Sequence, residues 1–451
     1  MKKLVEEQRA FFQTDITKSI QFRRNQLEKL YHAIQSSESE IMKALKQDLN
    51  KSEYEAYLTE IGIVYSEIKT AMRNLKKWTK PVHKKTGVAN LPGKSFTMYE
   101  PYGVVLILSP WNYPFQLALA PLVGAIAAGN CCICKCSKSS PHTSALIRRI
   151  LSEVYPAEYI SCVDQDVSYE EILSNQYDYI FFTGSARVGK VVMEAASKFL
   201  TPVSLELGGK SPCFVDRSAN LKLTAKRLVW GKLLNAGQTC VAVDYVLVDN
   251  HVKDQLIKFM KQYEKEAYGN LCENDSYPKI ISEEHFNRLN GLIEREPAKI
   301  GGEKNEETMQ ISFTIFPNAS FQDEIMQDEI FGPILPVIGY DSLDEALYQV
   351  RRRPKPLACY MFSTREEYFS KICNQISFGG GCMNDVIMHL ANHHLPFGGV
   401  GNSGMGSYHG KYSFRTFSHE KALIRSYNLL DVPLRYAPFS KQNIHLLKKF
   451  L

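Results

Sequence analysis

No stretch of this 451-residue chain is both long and apolar enough to cross a bilayer. The longest apolar run, Phe115 to Ala128, is broken by Gln116, Pro121 and Gly124. It falls short of the roughly 20 residues that a spanning helix needs. The start is equally unlike an export leader, because Met1-Lys-Lys is followed by Leu4-Val-Glu-Glu7 with no apolar core behind it. Internal repeats and low-complexity segments are also missing. A basic face interleaved with aromatics is absent too: the formal charge is only +6, and the densest basic clusters are Arg351-Arg-Arg353 and Lys448-Lys449. Nucleic-acid binding is therefore not expected. Eleven cysteines in a chain with no leader read as reduced thiols, which points to a cytoplasmic protein and not to a disulfide framework.

What is present describes an α/β enzyme-sized chain, too long for one simple core. Hydrophobic residues make up 44% and charged residues 23%. The first eighty residues carry a helical period: Ile20, Leu27, Leu30 and Ile34 share a face, and Ile41, Leu45 and Leu49 continue it. From Gly103 the period changes. Val104-Val-Leu-Ile-Leu108 is an unbroken apolar run of the kind buried on both sides of a parallel sheet. Similar short runs follow at Cys131–Cys136, Tyr159–Val163, Tyr179–Phe182 and Val203–Leu207. Helical stretches separate them, one opening at Ser140-Pro141 with a capping Ser and a Pro in the first turn. Strands alternating with helices imply a doubly wound, Rossmann-type dinucleotide fold. A second alternating region, from 209 to about 384, predicts a separate α/β catalytic domain. The stretches Gly269–Tyr277 and Glu294–Glu307 read as surface connections.

Two motifs carry chemistry. Cys240 closes Asn235-Ala-Gly-Gln-Thr-Cys240, and Glu206 lies in Leu205-Glu-Leu-Gly-Gly-Lys-Ser-Pro212. A thiol able to attack a carbonyl, with a carboxylate between apolar neighbours able to activate water, is what acyl-thioester chemistry requires. Burial would raise the Glu206 pKa and make it a competent base. The four cysteines at 131, 132, 134 and 136 do not read as a metal site: on a strand, Cys132, Cys134 and Cys136 face one way and Cys131 the other. Of the histidines, His389, His393 and His394 precede Pro396 and read as loop residues near an entrance or interface. Gly184-Ser-Ala-Arg-Val-Gly189 follows a strand and opens a helix, a context that suits a pyrophosphate at a helix N-terminus. It is not a G-x-G-x-x-G, and a plain strand–helix turn would look the same.

Pro110-Trp-Asn-Tyr-Pro114, Phe182-Thr-Gly-Ser185 and Glu329-Ile-Phe-Gly-Pro333 stand in order around those two motifs. Together the five resemble the aldehyde dehydrogenase superfamily along nearly the whole chain. The run from Pro396 to Phe414 is similar to the class 3 branch, which handles fatty and aromatic aldehydes. The resemblance implies Cys240 as nucleophile, Glu206 as general base and Asn112 as oxyanion donor. Residues toward NAD or NADP would be Lys135, Ser137, Lys138, Gly184, Ser185, Gly189, Leu207 and Gly208, with Glu329 on the nicotinamide ribose and Phe331 beside the ring. His409 would be structural near the substrate channel. No metal is implied.

The resemblance further implies a cofactor domain of residues 1–80 and 100–208, and a catalytic domain of 209–412. Segments 81–99 and 413–451 would form a small β bridging part that pairs two subunits into a homodimer. The chain ends without the hydrophobic tail that membrane-anchored relatives carry, so no anchor is expected. One position departs from the pattern. NAD-preferring relatives place a Glu three residues after the strand-end Lys, whereas Lys135-Cys-Ser-Lys138 places a cation there. Lys138 either attracts a 2′-phosphate or is a solvated surface lysine. Oxidation of medium- to long-chain aliphatic or aromatic aldehydes is the expected activity. An acyl-CoA or acyl-phosphate reductase of the same fold, or a non-enzymatic ligand-binding protein, are the alternatives.

Overall fold

Five of the expected apolar runs form one sheet. The computed structural model describes residues 1–428 except 297, and of 429–451 it describes 431, 435–438 and 441–450. The other positions of the 413–451 segment lie outside the described residues. The first sheet has six strands in the spatial order Gly404–Met405, Val203–Glu206, Tyr179–Thr183, Val104–Leu108, Cys131–Lys135, Ile160–Cys162. All pair in parallel except Gly404–Met405, which runs antiparallel to Val203–Glu206. Every residue of 104–108, 131–135 and 179–183 is buried, as strands covered by helices on both faces must be.

The chain leaves Val104–Leu108 toward Cys131–Lys135 and Ile160–Cys162, then returns to Tyr179–Thr183 on the other side. That reversal opens a crevice at the carboxyl ends of 104–108 and 179–183, where doubly wound sheets hold ligands. Leu108 and Phe182 are register partners, so the loop carrying Asn112 and the turn at Gly184-Ser185 leave the sheet side by side.

The helix Gln116–Ala128 is buried at every position and holds Pro121 inside it. At about 1.5 Å per residue it spans only about 20 Å, a core helix and not a membrane span. Among the described residues no helix is long and apolar enough to cross a membrane. The helix Pro141–Val154 starts where expected but is capped differently. Ser140 makes no side-chain cap bond. The Asp48 carboxylate, from the helix Glu38–Leu49, instead accepts from His142 N (3.1 Å) and Thr143 N (2.8 Å). A full negative charge answers a helix N-terminus more strongly than a hydroxyl does. Leu27, Leu30, Ile34, Ile41, Leu45 and Leu49 are wholly buried, but Ile20 is exposed because it begins its helix outside the packed turns.

A second sheet of six strands is parallel throughout, in the order Thr314–Phe316, Ile334–Tyr340, Tyr245–Asp249, Pro212–Val215, Ala358–Phe362, Gly380–Met383. A third, antiparallel sheet joins Val82–Lys84, Lys94–Pro101 and Ser418–Arg425. The charged stretch after Arg295 folds into a two-stranded hairpin, Lys304–Asn305 against Gln310–Ile311. His389 sits in a single 3-10 turn, Met388–Ala391.

Candidate active site

A cavity of about 150 Å³ lies between the two parallel sheets, with Cys240, Glu206, Thr183 and Leu207 among its lining residues. Its walls are almost wholly apolar, built from Leu117, Trp230, Leu234, Ile387, Met388 and Phe397, with Tyr113, Tyr408 and His409 also lining it. Glu206 ends its strand and is 3% exposed. Among the described residues neither of its carboxylate oxygens has a hydrogen-bond partner. Burial holds its pKa well above the usual carboxylate range. Cys240 is half-buried. Burial, with the nearby charges of Glu329 and Glu206, pushes its thiol up to about 12.

The approach to Cys240 is a strained backbone. Asn235, Ala236 and Gly237 have φ of 53°, 52° and 75°, three consecutive residues in the left-handed region. Polar contacts hold them there. Asn235 Nδ2 donates to the carbonyls of Asn112 (2.8 Å) and Gln238 (3.0 Å), and Asn235 N donates to Glu55 Oε1 (2.7 Å). Gln238 Nε2 reaches the Lys279 carbonyl at 2.9 Å, and Gln238 Oε1 accepts from Ile281 N at 3.0 Å. Gly237 cannot carry a side chain, since a Cβ would lie 2.3 Å from the Gly332 carbonyl oxygen.

Asn112 is 4% exposed, and its Nδ2 donates to the Gln238 carbonyl at 3.1 Å, two residues before Cys240. It does not line the apolar cavity itself; its neighbour Tyr113 does, bonded to Thr239 Oγ1 at 2.6 Å. Beneath this loop sits an ion pair that sequence reasoning missed. Lys51 and Glu60 are both fully buried and 2.5 Å apart. Glu60 Oε2 also accepts from Phe115 N (2.8 Å) and Gln116 N (3.1 Å), and Lys51 Nζ donates to the Asn112 carbonyl (3.2 Å). Neither residue stands in a recognisable motif, because the pair, close in sequence, gains its role only once it packs against the distant 112–116 backbone.

The remaining candidates fall into two groups. In the first, Leu207 lines the cavity with Cys240, Glu329 is close enough to raise its thiol, and Gly184, Ser185, Gly189, Gly208 and Phe331 adjoin Glu206, Leu207 or Glu329. Gly184 N donates to the Glu206 carbonyl at 3.0 Å, and Ser185 caps the helix Ala186–Ser197, accepting from Val188 N at 3.4 Å. A Cβ at Gly189 would meet Leu207 at 2.8 Å, and one at Gly208 would lie 2.0 Å from a Glu329 carboxylate oxygen. Phe331 packs edge-on against Trp111 at 5.4 Å. Lys210 secures the loop bearing Glu329, with Nζ on Asp244 Oδ2 (2.7 Å) and on the Ile325 and Asp328 carbonyls (2.7 and 3.0 Å). Burial and the Asp244 charge lift the Glu329 pKa to about 8, and burial lowers Lys232, 3.9 Å from Asp244, to about 8. The second group, Lys135, Ser137 and Lys138, ends the strand Cys131–Lys135, beyond 104–108 from the first. Lys135 Nζ is tied to the Gln165 carbonyl at 2.9 Å, and Lys138 is exposed.

Residues 1–423 match the sequence pattern of the Aldehyde dehydrogenase family. The chain belongs to that family. Among relatives of this aldehyde dehydrogenase, the Staphylococcus aureus (strain NCTC 8325 / PS 47) 4,4'-diaponeurosporen-aldehyde dehydrogenase is 48% identical over 437 residues, covering 96% of this chain and 95% of its own. Mouse (Mus musculus) aldehyde dehydrogenase family 3 member B1 is 43% identical over 452 residues, covering 98% and 96%. The solved substrate-bound state of Staphylococcus aureus AldH superposes with a TM-score of 0.96 at 46% identity, covering 99% of this chain and 98% of that one. The activity is accordingly NAD(P)-dependent oxidation of aldehydes. The crevice fits such a dinucleotide. It offers a helix N-terminus at Ser185 for an anion and a carboxylate at Glu329 for a diol, the latter seated against the bare backbone of Gly208.

Proposed function

We propose that Cys240 is the nucleophile and Glu206 the deacylating base for apolar aldehydes. The observation that carries this is the pairing of a thiol and an unpartnered buried carboxylate in one apolar cavity. Cys240 adds to the aldehyde carbonyl, with its thiol proton passing to a carboxylate or to water, and forms a hemithioacetal. Asn112 has an amide N–H beyond the one bonded to Gln238, and with the Cys240 backbone N–H it stabilises the oxyanion. NAD(P), when bound, would supply the hydride acceptor for this carbon, and Cys240 would then hold the acyl group as a thioester. Glu206 then takes a proton from the attacking water, and the carboxylic acid departs.

Ser185, Gly184, Gly189, Leu207 and Gly208 would seat the pyrophosphate side of the cofactor. Glu329 and Phe331 would seat the nicotinamide ribose and ring, and Lys135, Ser137 and Lys138 the adenosine side. Substrates are medium- to long-chain aliphatic or aromatic, a reading supported by the apolar walls and by the 4,4'-diaponeurosporen-aldehyde named for the Staphylococcus aureus relative.

The division into a cofactor domain (1–80, 100–208), a catalytic domain (209–412) and bridging segments (81–99, 413–451) belongs to the same reading. Its homodimer is supported by Leu423 and Ile424, exposed on the outer strand of the three-stranded sheet. A cytoplasmic location is supported by the eleven free thiols.

Mixing enzyme, NAD(P) and a long-chain aldehyde in single turnover tests the central claim. A burst of reduced nicotinamide matched to a covalent adduct on Cys240 is expected. A burst with the label on any other cysteine would refute it.

A further inference from the structure

The apolar cavity over Cys240 adjoins a second cavity of about 200 Å³, and Leu58, Ile63, Leu390, Ala391 and His409 line both. The chemistry changes across that shared wall. The second cavity adds Ser66, Glu67 and His393. Ser66 is exposed and His393 half-exposed, so they form its rim, whereas Glu67 is 4% exposed.

Glu67 is under-satisfied for a group so deep. Its two oxygens share one donor, Gly410 N, at 2.9 and 3.2 Å. His409 Nδ1 lies 4.0 Å from Oε1, beyond hydrogen-bonding distance. A carboxylate has room for about four donors. Burial raises its pKa to about 7, against the pull of the Gly410 N–H. A wholly apolar ligand would leave this group as it stands. A ligand bringing an O–H would supply the donor it lacks.

We propose that Glu67, with Ser66 and His393 at its rim, is a subsite for the terminal hydroxyl of an ω-hydroxyaldehyde whose carbonyl is held at Cys240. The proposal rests on the Cys240 reading above and adds a substrate class to it. The methylene chain occupies the apolar cavity, and the hydroxyl crosses the shared wall. The competing account is a purely structural Glu67 that only fixes Gly410, and it predicts no difference between chain termini.

The test compares kcat/KM for n-alkanals and ω-hydroxyalkanals of equal length across a length series. At about pH 8 or above, where Glu67 is ionised, and over the lengths that reach it, the hydroxyl-terminated substrate should be preferred about ten-fold, the worth of one hydrogen bond to a charged group. In Glu67→Gln that ratio should fall by about three-fold or more, because the amide keeps an acceptor but loses the charge. A ratio at or below one at every length, or a ratio unmoved by Glu67→Gln, overturns the proposal. If the variant does not fold, inhibition of the parent by α,ω-diols against 1-alkanols carries the same comparison, and equal inhibition overturns it. Failure to oxidise either aldehyde series would instead overturn the Cys240 reading.

Discussion

Two buried carboxylates within this protein are treated in opposite ways. Glu60 pairs with Lys51 at 2.5 Å and takes two backbone N–H donors. Glu206 has no partner for either oxygen among the described residues. Both are almost inaccessible to solvent. The first has used its hydrogen-bonding capacity to fix the loop 110–116; the second keeps its capacity free and carries the penalty of burial. Saturation marks scaffold, and its absence marks a place for chemistry.

The largest test of that contrast removes the group that Glu206 would serve. Cys240→Ser should lower turnover on the order of a thousand-fold or more while NAD(P) still binds by direct titration, since a hydroxyl is a much poorer nucleophile near neutral pH. Oxidation at even about a tenth of the parent rate would end the assignment.

Glu206→Gln should cut steady-state turnover by roughly 10²–10⁴ and leave the first burst of reduced cofactor intact. It should also stabilise the fold, by about 1–3 kcal/mol once the native carboxyl would be ionised. A carboxyl whose folded pKa is raised favours the fold while protonated and loses that contribution as pH climbs. The variant's advantage should therefore grow with pH from about 4.3, the unfolded value, through the raised folded value. Thermal melts that keep the two proteins parallel across pH would show that Glu206 is not penalised by burial.

The opposite result is expected at the saturated pair. Lys51→Met should destabilise by about 3–5 kcal/mol in denaturant titration, because it strands the Glu60 anion. Lys51→Met with Glu60→Leu should recover only part of that loss, because the Phe115 and Gln116 N–H groups then lack their acceptor. A single variant costing under about 1 kcal/mol would mean the pair is not what holds the Asn112 loop.

The smallest effect belongs to an exposed charge. Lys138→Glu should move the NAD-over-NADP ratio of kcat/KM by about 0.5–1 kcal/mol, a few-fold, since a solvated contact is screened. An unchanged ratio would remove Lys138 from the adenosine site.

Regular features were readable from residue pattern, because an apolar run or a helical period is a local signal. The strand at 104–108 has its anticipated ends, and 131–135, 160–162, 179–183 and 203–206 differ from expectation only at their termini. Features that depend on distant partners were not readable. Ser140 looked like a helix cap, yet Asp48 performs that task from another helix. Ile20 fits the apolar period but lies outside the packed turns. Lys51, Glu60, Asn235 and Gln238 have ordinary side chains in ordinary surroundings along the chain, and their importance arises only from what lies across from them. Lys138 was ambiguous in sequence because exposure is a property of the fold.

The close approach of Gly237 to the Gly332 carbonyl joins the loop that presents Cys240 to the loop that carries Glu329 and Phe331. Backbone meets backbone there, with no side chain between to absorb a shift. For recombination among family members, segments 234–240 and 329–333 form a single cassette: a chimera that imports one without the other inherits a mismatched seam beneath its nucleophile.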